Sequence, residues 1–435
     1  SEDTVIAKRL MYAYRHGPTR KSDFGYVTMS VNHNLEEDAN MKIGSGHFPG
    51  YLSTFRSAVG TANESVAWFI NGDWYNDHRN DDRGSLALYA LGAPLTLNYG
   101  SFYSPHQTGG HMKSICVPES DFPQWNQGGQ TFQIGDGATW DAATHQAYVA
   151  FKHGQFSKAR FNVPGNQWTR QVYQFSPKAA TPIFVVKDNL SNVNQNMVWS
   201  FNFMGRDVVQ TPSGAVDPPA AFNGNPSASG NIPLSAGGLK RFDFTGIQWN
   251  LHPAGGINWE VYVAPKFAQD CTLAEWAHNS HPNIEKNEYQ ASNGASFEER
   301  QIMMRVRGKE EFYTIIVPYN KGQRPANLNV TRNGETVTVT TSDFTFNTDL
   351  NTFTYTEPAA NKNILATYTT QSLTFAGATI SGGSMELETK PDSVFARVHG
   401  APGARTLTLP SGNWSIVKGS SNAAYNVSTG KWTLT

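Results

Sequence analysis

Short runs of apolar and β-branched residues recur along the chain, and turn residues separate them. Runs of about five residues lie between Gly, Pro, Asn and Asp positions, as a strand-rich chain requires; examples are residues 85–90, 171–175, 183–186, 259–263 and 313–317. This pattern is typical of antiparallel strands joined by tight turns. It predicts an all-β protein built on a large antiparallel β-sandwich.

Helical periodicity is scarce by comparison. Residues 4–14 can form one amphipathic helix, and residues 272–278 can form a second, shorter one. Residues 212–238 are rich in Gly and Pro, and they predict either a long loop inside the sandwich or a boundary within it.

The composition changes between residues 318 and 330, where the chain becomes rich in threonine. Beyond this point Thr336–Thr340 alternates polar and apolar side chains, as a half-exposed strand does. A chain of 435 residues is also too long for one ordinary core. We therefore predict a large antiparallel sandwich over residues 1–329 and a small C-terminal β-domain over residues 330–435.

Charge and composition exclude several classes of protein. The chain has 34 Lys+Arg against 35 Asp+Glu, so no basic excess points to a nucleic-acid partner. No apolar run approaches the length of about 20 residues that a membrane span needs. Cys116 and Cys271 can form one long-range disulfide or remain two buried thiols, and we favour the thiols.

The densest group of reactive side chains occupies residues 73–85, directly before a predicted strand. It contains four carboxylates and the following aromatic, imidazole and guanidinium side chains: Trp74, Tyr75, His78, Arg79 and Arg83. One interpretation is a solvated turn held by Asx-type hydrogen bonds. The other is a catalytic loop presented by a rigid sheet.

The motifs that follow this segment favour the second interpretation. Residues 91–104 contain Gly-Ala-Pro-Leu, Gly110 and His111 come next, and then Arg170-Gln171-Val172 and Val185-Val186-Lys187-Asp188. This order resembles the β-sandwich part of heparinase II/III-like polysaccharide lyases. In that family a His-x-His-x-Asp loop runs into a strand, and Gly-x-Pro-Leu, Asp-x-Gly, His-Asn/Ser-x-Val, Arg-x-Val and Val-Val-x-Asp motifs follow. The resemblance covers residues 60–200.

Matched residue by residue, the first histidine of the family loop falls on His78 and its aspartate on Asp82. The serine before the strand falls on Ser85. The resemblance implies that the first histidine works in the active site. It also implies β-elimination on a uronic-acid-containing anionic polysaccharide, which would be the partner of this chain.

The family's metal ligands are matched less well. Its second histidine falls on Asn80, the aspartate of Asp-x-Gly on Asn98, and the later histidine on His111. Amides are poor zinc ligands beside imidazole and carboxylate, so the resemblance does not carry a zinc site over intact. A calcium site that uses oxygens of Asp81 or Asp82 remains an alternative.

The implied reaction needs a base, an acid and groups that neutralise the uronate carboxylate. His78 and Tyr75 are the catalytic candidates, because imidazole and phenol side chains can exchange protons in such a step. The substrate-binding candidates are cationic groups for carboxylates or sulfates and aromatic rings for sugar stacking: Arg79, Arg83, Trp74 and Tyr103.

The resemblance has one large departure. In the family an N-terminal helical toroid supplies further catalytic residues, and a separate or cleaved toroid chain is therefore an expected partner. We expect a secreted or periplasmic location. The alternative function is a non-catalytic carbohydrate-binding or cell-surface sandwich. A glycoside hydrolase that uses Asp77, Asp81 or Asp82 is a third option.

Overall fold

A computed structural model describes most of the chain from Gly44 onward. The described residues are Lys8 and residues 44–72, 83–96, 114–118, 142–163, 166–178, 181–191, 197–211, 214–215, 227–228, 232–246, 254–277, 300–308, 311–399, 405–409, 423–426 and 431–434. The chain divides into two compact units, Ser1–Gly44 and Ser45–Thr435. The helix predicted for residues 4–14 lies outside the described residues except for Lys8.

Strands occupy most of the described residues. In chain order they are β1 Gly46–Phe48, β2 Leu52–Ser57, β3 Ser65–Ile70, β4 Leu86–Ala90, β5 Ala93–Pro94, β6 Cys116–Pro118, β7 Ala142–Ala150, β8 Gly154–Val163, β9 Asn166–Phe175, β10 Ile183–Ser191, β11 Met197–Phe203, β12 Gly205–Thr211, β13 Gly214–Ala215, β14 Ser227–Ala228, β15 Ile232–Leu234, β16 Lys240–Gly246, β17 Ile257–Pro265, β18 Gln269–Ala277, β19 Arg300–Gly308, β20 Phe312–Asn320, β21 Asn329–Asn333, β22 Thr336–Thr340, β23 Thr345–Thr348, β24 Thr352–Glu357, β25 Lys362–Thr367, β26 Leu373–Phe375, β27 Ala378–Ser381, β28 Met385–Thr389, β29 Val394–Val398, β30 Arg405–Thr408, β31 Ala423–Asn426 and β32 Lys431–Leu434. A 3₁₀ turn, Pro358–Ala360, follows β24.

These strands form antiparallel sheets, which we number I to V. Sheet I is β1-β2-β3-β4-β5, and sheet II is β14-β18-β19-β11-β6 with β15 also paired to β18. Sheet III, the widest, runs β13-β12-β16-β17-β20-β10-β9-β8-β7. Sheet IV is β21-β22-β23-β24-β25-β28-β29, and sheet V is β26-β27-β30-β32-β31. The all-β antiparallel sandwich predicted from the sequence is confirmed.

Three apolar cores stack the sheets in layers. Sheets I and II, joined by a bridge between Thr96 and Phe203, share one core with sheet III. The other face of sheet III shares a second core with sheet IV, and a third core lies between sheets IV and V. Sheet III is therefore buried on both faces, which explains its nearly continuous apolar strands. In β10, Phe184 belongs to the first core and its neighbour Val185 to the second.

The second predicted helix is wrong. Residues 272–278 overlap β18, which pairs with β19 from Asp270 to Ala277. Cys271 and Leu273 alternate into the first core, so burial of a strand face overrides the helix-forming residues nearby. The Gly- and Pro-rich residues 212–238 contain β13, β14 and β15 and are not a continuous loop.

The two cysteines are free and buried, which confirms the thiol interpretation. Burial raises the pKa of the Cys271 thiol to about 12, and burial together with Asp188 raises the pKa of Cys116 well above its usual value. Neither thiol is therefore ionised near neutral pH.

Charged side chains join sheets III and IV at one edge. Lys152 and His153 lie in the turn between β7 and β8, and they face Glu386 and Glu388 of β28. The backbone N–H of Lys152 donates to Glu386 Oε2 at 2.7 Å, and His153 Nε2 lies 2.5 Å from Glu388 Oε2. Burial raises the pKa of Glu388, but hydrogen bonds from His153 and Lys152 outweigh it and hold the pKa at about 2. Burial lowers the pKa of His153, so its neutral ring donates to the carboxylate.

Acid is expected to weaken this contact through Glu388. A carboxyl with a depressed pKa stabilises the folded state above its usual pKa of 4.5 and loses that stabilisation as the pH falls toward 2. The shift corresponds to about 3 kcal/mol. Glu388→Gln should lower the free energy of unfolding at pH 7 and flatten its decline between pH 4.5 and 2, measured by urea unfolding with tryptophan fluorescence. The control is Asp343→Asn, which removes an exposed carboxylate paired with Lys178 and should keep the full decline. An equally steep decline in Glu388→Gln would contradict the assignment.

Candidate functional site

Hydrogen bonds between β3 and the residues before β4 fix the C-terminal end of residues 73–82. Gly84 N donates to Ile70 O at 2.7 Å, and Ile70 N donates to Ser85 O at 2.9 Å. Gly84 has a positive φ of +86°, and a Cβ at this position would collide with the ring of Trp168. The chain therefore leaves the segment at a position that only glycine fills without strain.

The N-terminal end of the same segment is fixed by hydrogen bonds to Tyr51, which directly precedes β2. The backbone N–H groups of Asn71 and Gly72 donate to Tyr51 O at 3.1 and 2.9 Å. The buried Asn71 carboxamide also donates to the hydroxyls of Ser53 and Ser157, at 2.7 and 2.9 Å. Both ends of residues 73–82 are thus fixed by hydrogen bonds to the sandwich.

Residues 97–113, which contain Tyr103 and His111, are flanked by the buried residues Thr96 and Ser114. Thr96 Oγ1 accepts a hydrogen bond from the backbone N–H of Leu88 at 2.8 Å. At the other end, Ser114 Oγ accepts one from the backbone N–H of Asn202 at 3.3 Å.

Arg170 of β9 brings the ends of these two segments together. Its Nη1 donates to Gly84 O at 2.7 Å and to Ser114 O at 2.6 Å. One nitrogen therefore reaches the carbonyl that follows residues 73–82 and the carbonyl that follows residues 97–113. The structure places these two chain ends side by side.

The rest of the Arg170 guanidinium faces Asp188 of β10, its cross-strand partner. Arg170 Nε and Nη2 donate to Asp188 Oδ1 and Oδ2 at 2.8 and 3.2 Å, and Trp168 Nε1 donates to Oδ1 at 2.6 Å. The guanidinium also lies 4.5 Å from the centre of the Trp168 ring. All three side chains are fully buried in the first core. A fully buried ion pair with this many bonds is a rigid element.

The structure describes one of the predicted site residues, Arg83, which is half-buried directly before Gly84. The others lie outside the described residues: Trp74, Tyr75, His78, Arg79, Tyr103 and His111, together with the metal candidates Asn80, Asp81, Asp82 and Asn98. Ser85, which matches the serine of the family motif, is buried at the start of β4. The catalytic and substrate-binding assignments stay predictions.

Sequence reasoning missed a second group of titratable side chains near the start of residues 73–82. The rings of His47 and His145 stack at 3.7 Å, and His47 Nδ1 lies 3.0 Å from Ser53 Oγ. Burial and the neighbouring His47 lower the pKa of His145 to about 4, and burial lowers the pKa of His47. Both imidazoles are neutral at pH 7. The two histidines lie far apart in the sequence and meet only through the folding of β7 at the edge of sheet III, so no sequence spacing relates them.

The described residue ranges contain neither a metal-binding cluster nor a membrane-spanning helix. No group of three or more His, Cys, Asp or Glu side chains within those ranges is arranged to hold a metal ion. The predicted metal ligands are not among them, so that hypothesis is untested. Nor does the described part of the chain contain a helix that is long and apolar enough to span a membrane.

Comparisons with known proteins give structural neighbours only. No family model matches the chain, and no curated protein matches it. Among solved structures, the chain is similar to the heparan sulfate lyase HepC from Pedobacter heparinus, with a TM-score of 0.46 and 13% identity over 78% of this chain and 47% of that one. It is also similar to a heparinase III, with a TM-score of 0.43 and 10% identity over 89% of this chain and 48% of that one.

A third neighbour is a xanthan lyase from Paenibacillus, with a TM-score of 0.39 and 9% identity over 94% of this chain and 37% of that one. The chain thus spans about half the length, or less, of each of these three lyases. These neighbours are polysaccharide lyases, but similarity at this level assigns neither a family nor an activity.

Proposed function

We propose that this chain is a polysaccharide lyase, or the C-terminal portion of one, that cleaves a uronic-acid-containing anionic polysaccharide by β-elimination. The observation that carries the proposal is the meeting of two chain ends at Arg170. Gly84 O and Ser114 O bind the same nitrogen, and they follow the segments that contain His78 and His111. A reaction that needs several polar groups at one place is supported by such convergence.

The chemistry assigns a role to each candidate in the first segment. His78 neutralises the uronate carboxylate or removes the proton from its α-carbon, and Tyr75 exchanges a proton with the glycosidic oxygen. Arg79 and Arg83 bind substrate carboxylates or sulfates, and they stabilise the charge that develops on the enediolate. Trp74 and Tyr103 stack on sugar rings.

The substrate class also implies a setting. Anionic polysaccharides of this kind occur outside the cytoplasm, so we propose a secreted or periplasmic location. We further propose that a helical toroid, on a separate chain or on a precursor, completes the cleft, so the activity assays use this chain together with that toroid.

The test is an ultraviolet assay for the unsaturated uronate product on a panel of anionic polysaccharides. We expect product from the natural chain and a loss of at least about 10²-fold in His78→Ala, because a positioned acid–base group contributes on that order. His252→Ala, at a histidine without an assigned role, is the matched control and should retain activity. Product from His78→Ala at the natural rate would remove His78 from the mechanism. No product with any glycan from the chain together with its toroid would contradict the lyase proposal.

A carbohydrate-binding sandwich is the second candidate, and exposed aromatic rings on sheet I favour it. Trp68 and Phe48 are 43% and 51% exposed, and alternation along β1 and β3 places both on the face that points away from the first core. The Phe48 ring lies over Gly46, whose cross-strand partner Thr54 pairs in turn with Trp68. In an assay of polysaccharide binding, the affinity of a pure binding module would depend on such aromatic rings and would be unchanged by His78→Ala.

A further inference from the structure

The Arg170–Asp188 pair is not explained by stability alone. Both side chains are fully buried, so both bear the full free-energy cost of desolvation. Replacing a buried ion pair with apolar residues of similar volume is often neutral or stabilising. The Arg170–Asp188 pair lies among apolar side chains of the first core. Its distinguishing feature is the geometry it imposes on its partners.

That geometry connects three sheets through one guanidinium. Arg170 belongs to sheet III, Gly84 lies two residues before β4 of sheet I, and Ser114 lies two residues before β6 of sheet II. Two hydrogen bonds, from Arg170 Nε and Nη2 to the Asp188 carboxylate, fix the plane of the guanidinium, since its fork matches the carboxylate. The remaining nitrogen, Nη1, then points to both carbonyls from a fixed position.

We propose that Arg170 is a positioning residue that sets the separation of the two segments carrying His78 and His111. The inference rests on the proposed function for its catalytic consequence and on the hydrogen bonds for its structural one. Arg170 does not contact substrate. It acts through the chain ends, and a misplacement of about 1 Å in such a site can cost about 10²-fold in rate.

The test compares Arg170→Lys with a matched arginine elsewhere. Lysine keeps the charge that Asp188 needs but lacks the planar fork that reaches both carbonyls. Arg332 has the same kind of partners, with Nη1 bound to Ala264 O at 2.6 Å and Nε bound to Gly334 O at 2.8 Å. It lies between sheets III and IV, so Arg332→Lys removes equivalent bonds away from both segments.

Amide hydrogen exchange is the first readout, because it needs no substrate. In Arg170→Lys, exchange at residues 83–90 and 114–118 should rise about tenfold or more over the natural chain through local opening. Exchange in β21 and β22 should stay unchanged. Arg332→Lys should give the reverse pattern. A uniform rise across all sheets, or no rise at the two segments, would overturn the proposal.

Kinetics is the second readout. A positioning role predicts that kcat falls about 10²-fold in Arg170→Lys while KM changes little, since the substrate-contacting groups remain. Equal kcat in Arg170→Lys and the natural chain would overturn the role. If Arg170→Lys does not fold, the double variant Arg170→Met with Asp188→Leu removes the whole ion pair and takes its place in both readouts.

The two proposals fail in different ways. Absence of product from the natural chain would contradict the lyase proposal, yet exchange at the two segments would still decide whether Arg170 positions them. Normal exchange in Arg170→Lys, with an active natural chain, would reject the positioning role alone.

Discussion

Gly84→Ala is expected to lower the free energy of unfolding by about 3 kcal/mol or more. Two causes add at this position. The φ of +86° is a left-handed conformation that alanine adopts only with strain, and the new Cβ would collide with the Trp168 ring. Trp168 cannot move away freely, because its Nε1 donates to the buried Asp188 carboxylate at 2.6 Å.

Gly60→Ala separates these two causes. Gly60 has a similar φ of +74°, but nothing lies within 4 Å of the position its Cβ would take. It should therefore lose only the conformational part, about 1–2 kcal/mol. Urea unfolding of both variants gives the comparison. Equal losses would mean that the Trp168 ring yields without cost and that Gly84 does not constrain the Arg170 network.

Local patterns predicted the strands well where the side chains alternate. Thr336–Thr340 is β22, with Val337 and Val339 buried in the second core. The mostly apolar residues 183–186 and 313–317 also fall within strands, in β10 and in the central strand β20 of sheet III. The prediction fails in residues 272–278, because the pairing of β18 with β19 decides the structure there. Strand pairing of that kind depends on distant residues, which a local window does not include.

In the candidate site, too, local motifs identified individual residues but not the contacts between distant parts of the chain. The order of short motifs singled out Arg170 and Asp188, and the structure places them opposite each other on neighbouring strands. Their contacts with Gly84 and Ser114 could not be predicted, because these join three sheets and depend on how the sheets pack. The stack of His47 on His145 was unpredictable for the same reason.

The boundary predicted near residue 330 divides a core that is continuous in the structure. Tyr173 of β9 stacks on Phe353 of β24 at 3.9 Å, and Phe175 stacks on Phe346 of β23 at 4.3 Å. Residues on both sides of the boundary thus bury one another. Removing residues 330–435 would expose one apolar face of sheet III, and exposed apolar patches of that size promote association.

Phe353→Ala is therefore expected to cost about 3–5 kcal/mol, the range for truncating a buried aromatic side chain. Phe353 is 2% exposed, and it also packs against Phe151 and Phe156. Phe395→Ala is the control in the same sheet: its ring is 38% exposed and its loss should cost less than about 1 kcal/mol.

Calorimetry of Phe353→Ala also decides how residues 330–435 are coupled to the rest. Because the second core includes side chains from sheets III and IV, the whole of Ser45–Thr435 should unfold in one transition, shifted to lower temperature. A separate domain over residues 330–435 would instead give two transitions, with only one of them shifted. If residues 330–435 were a separate domain, a chain without them would still unfold cooperatively. The shared core predicts instead that this shortened chain loses its cooperative transition.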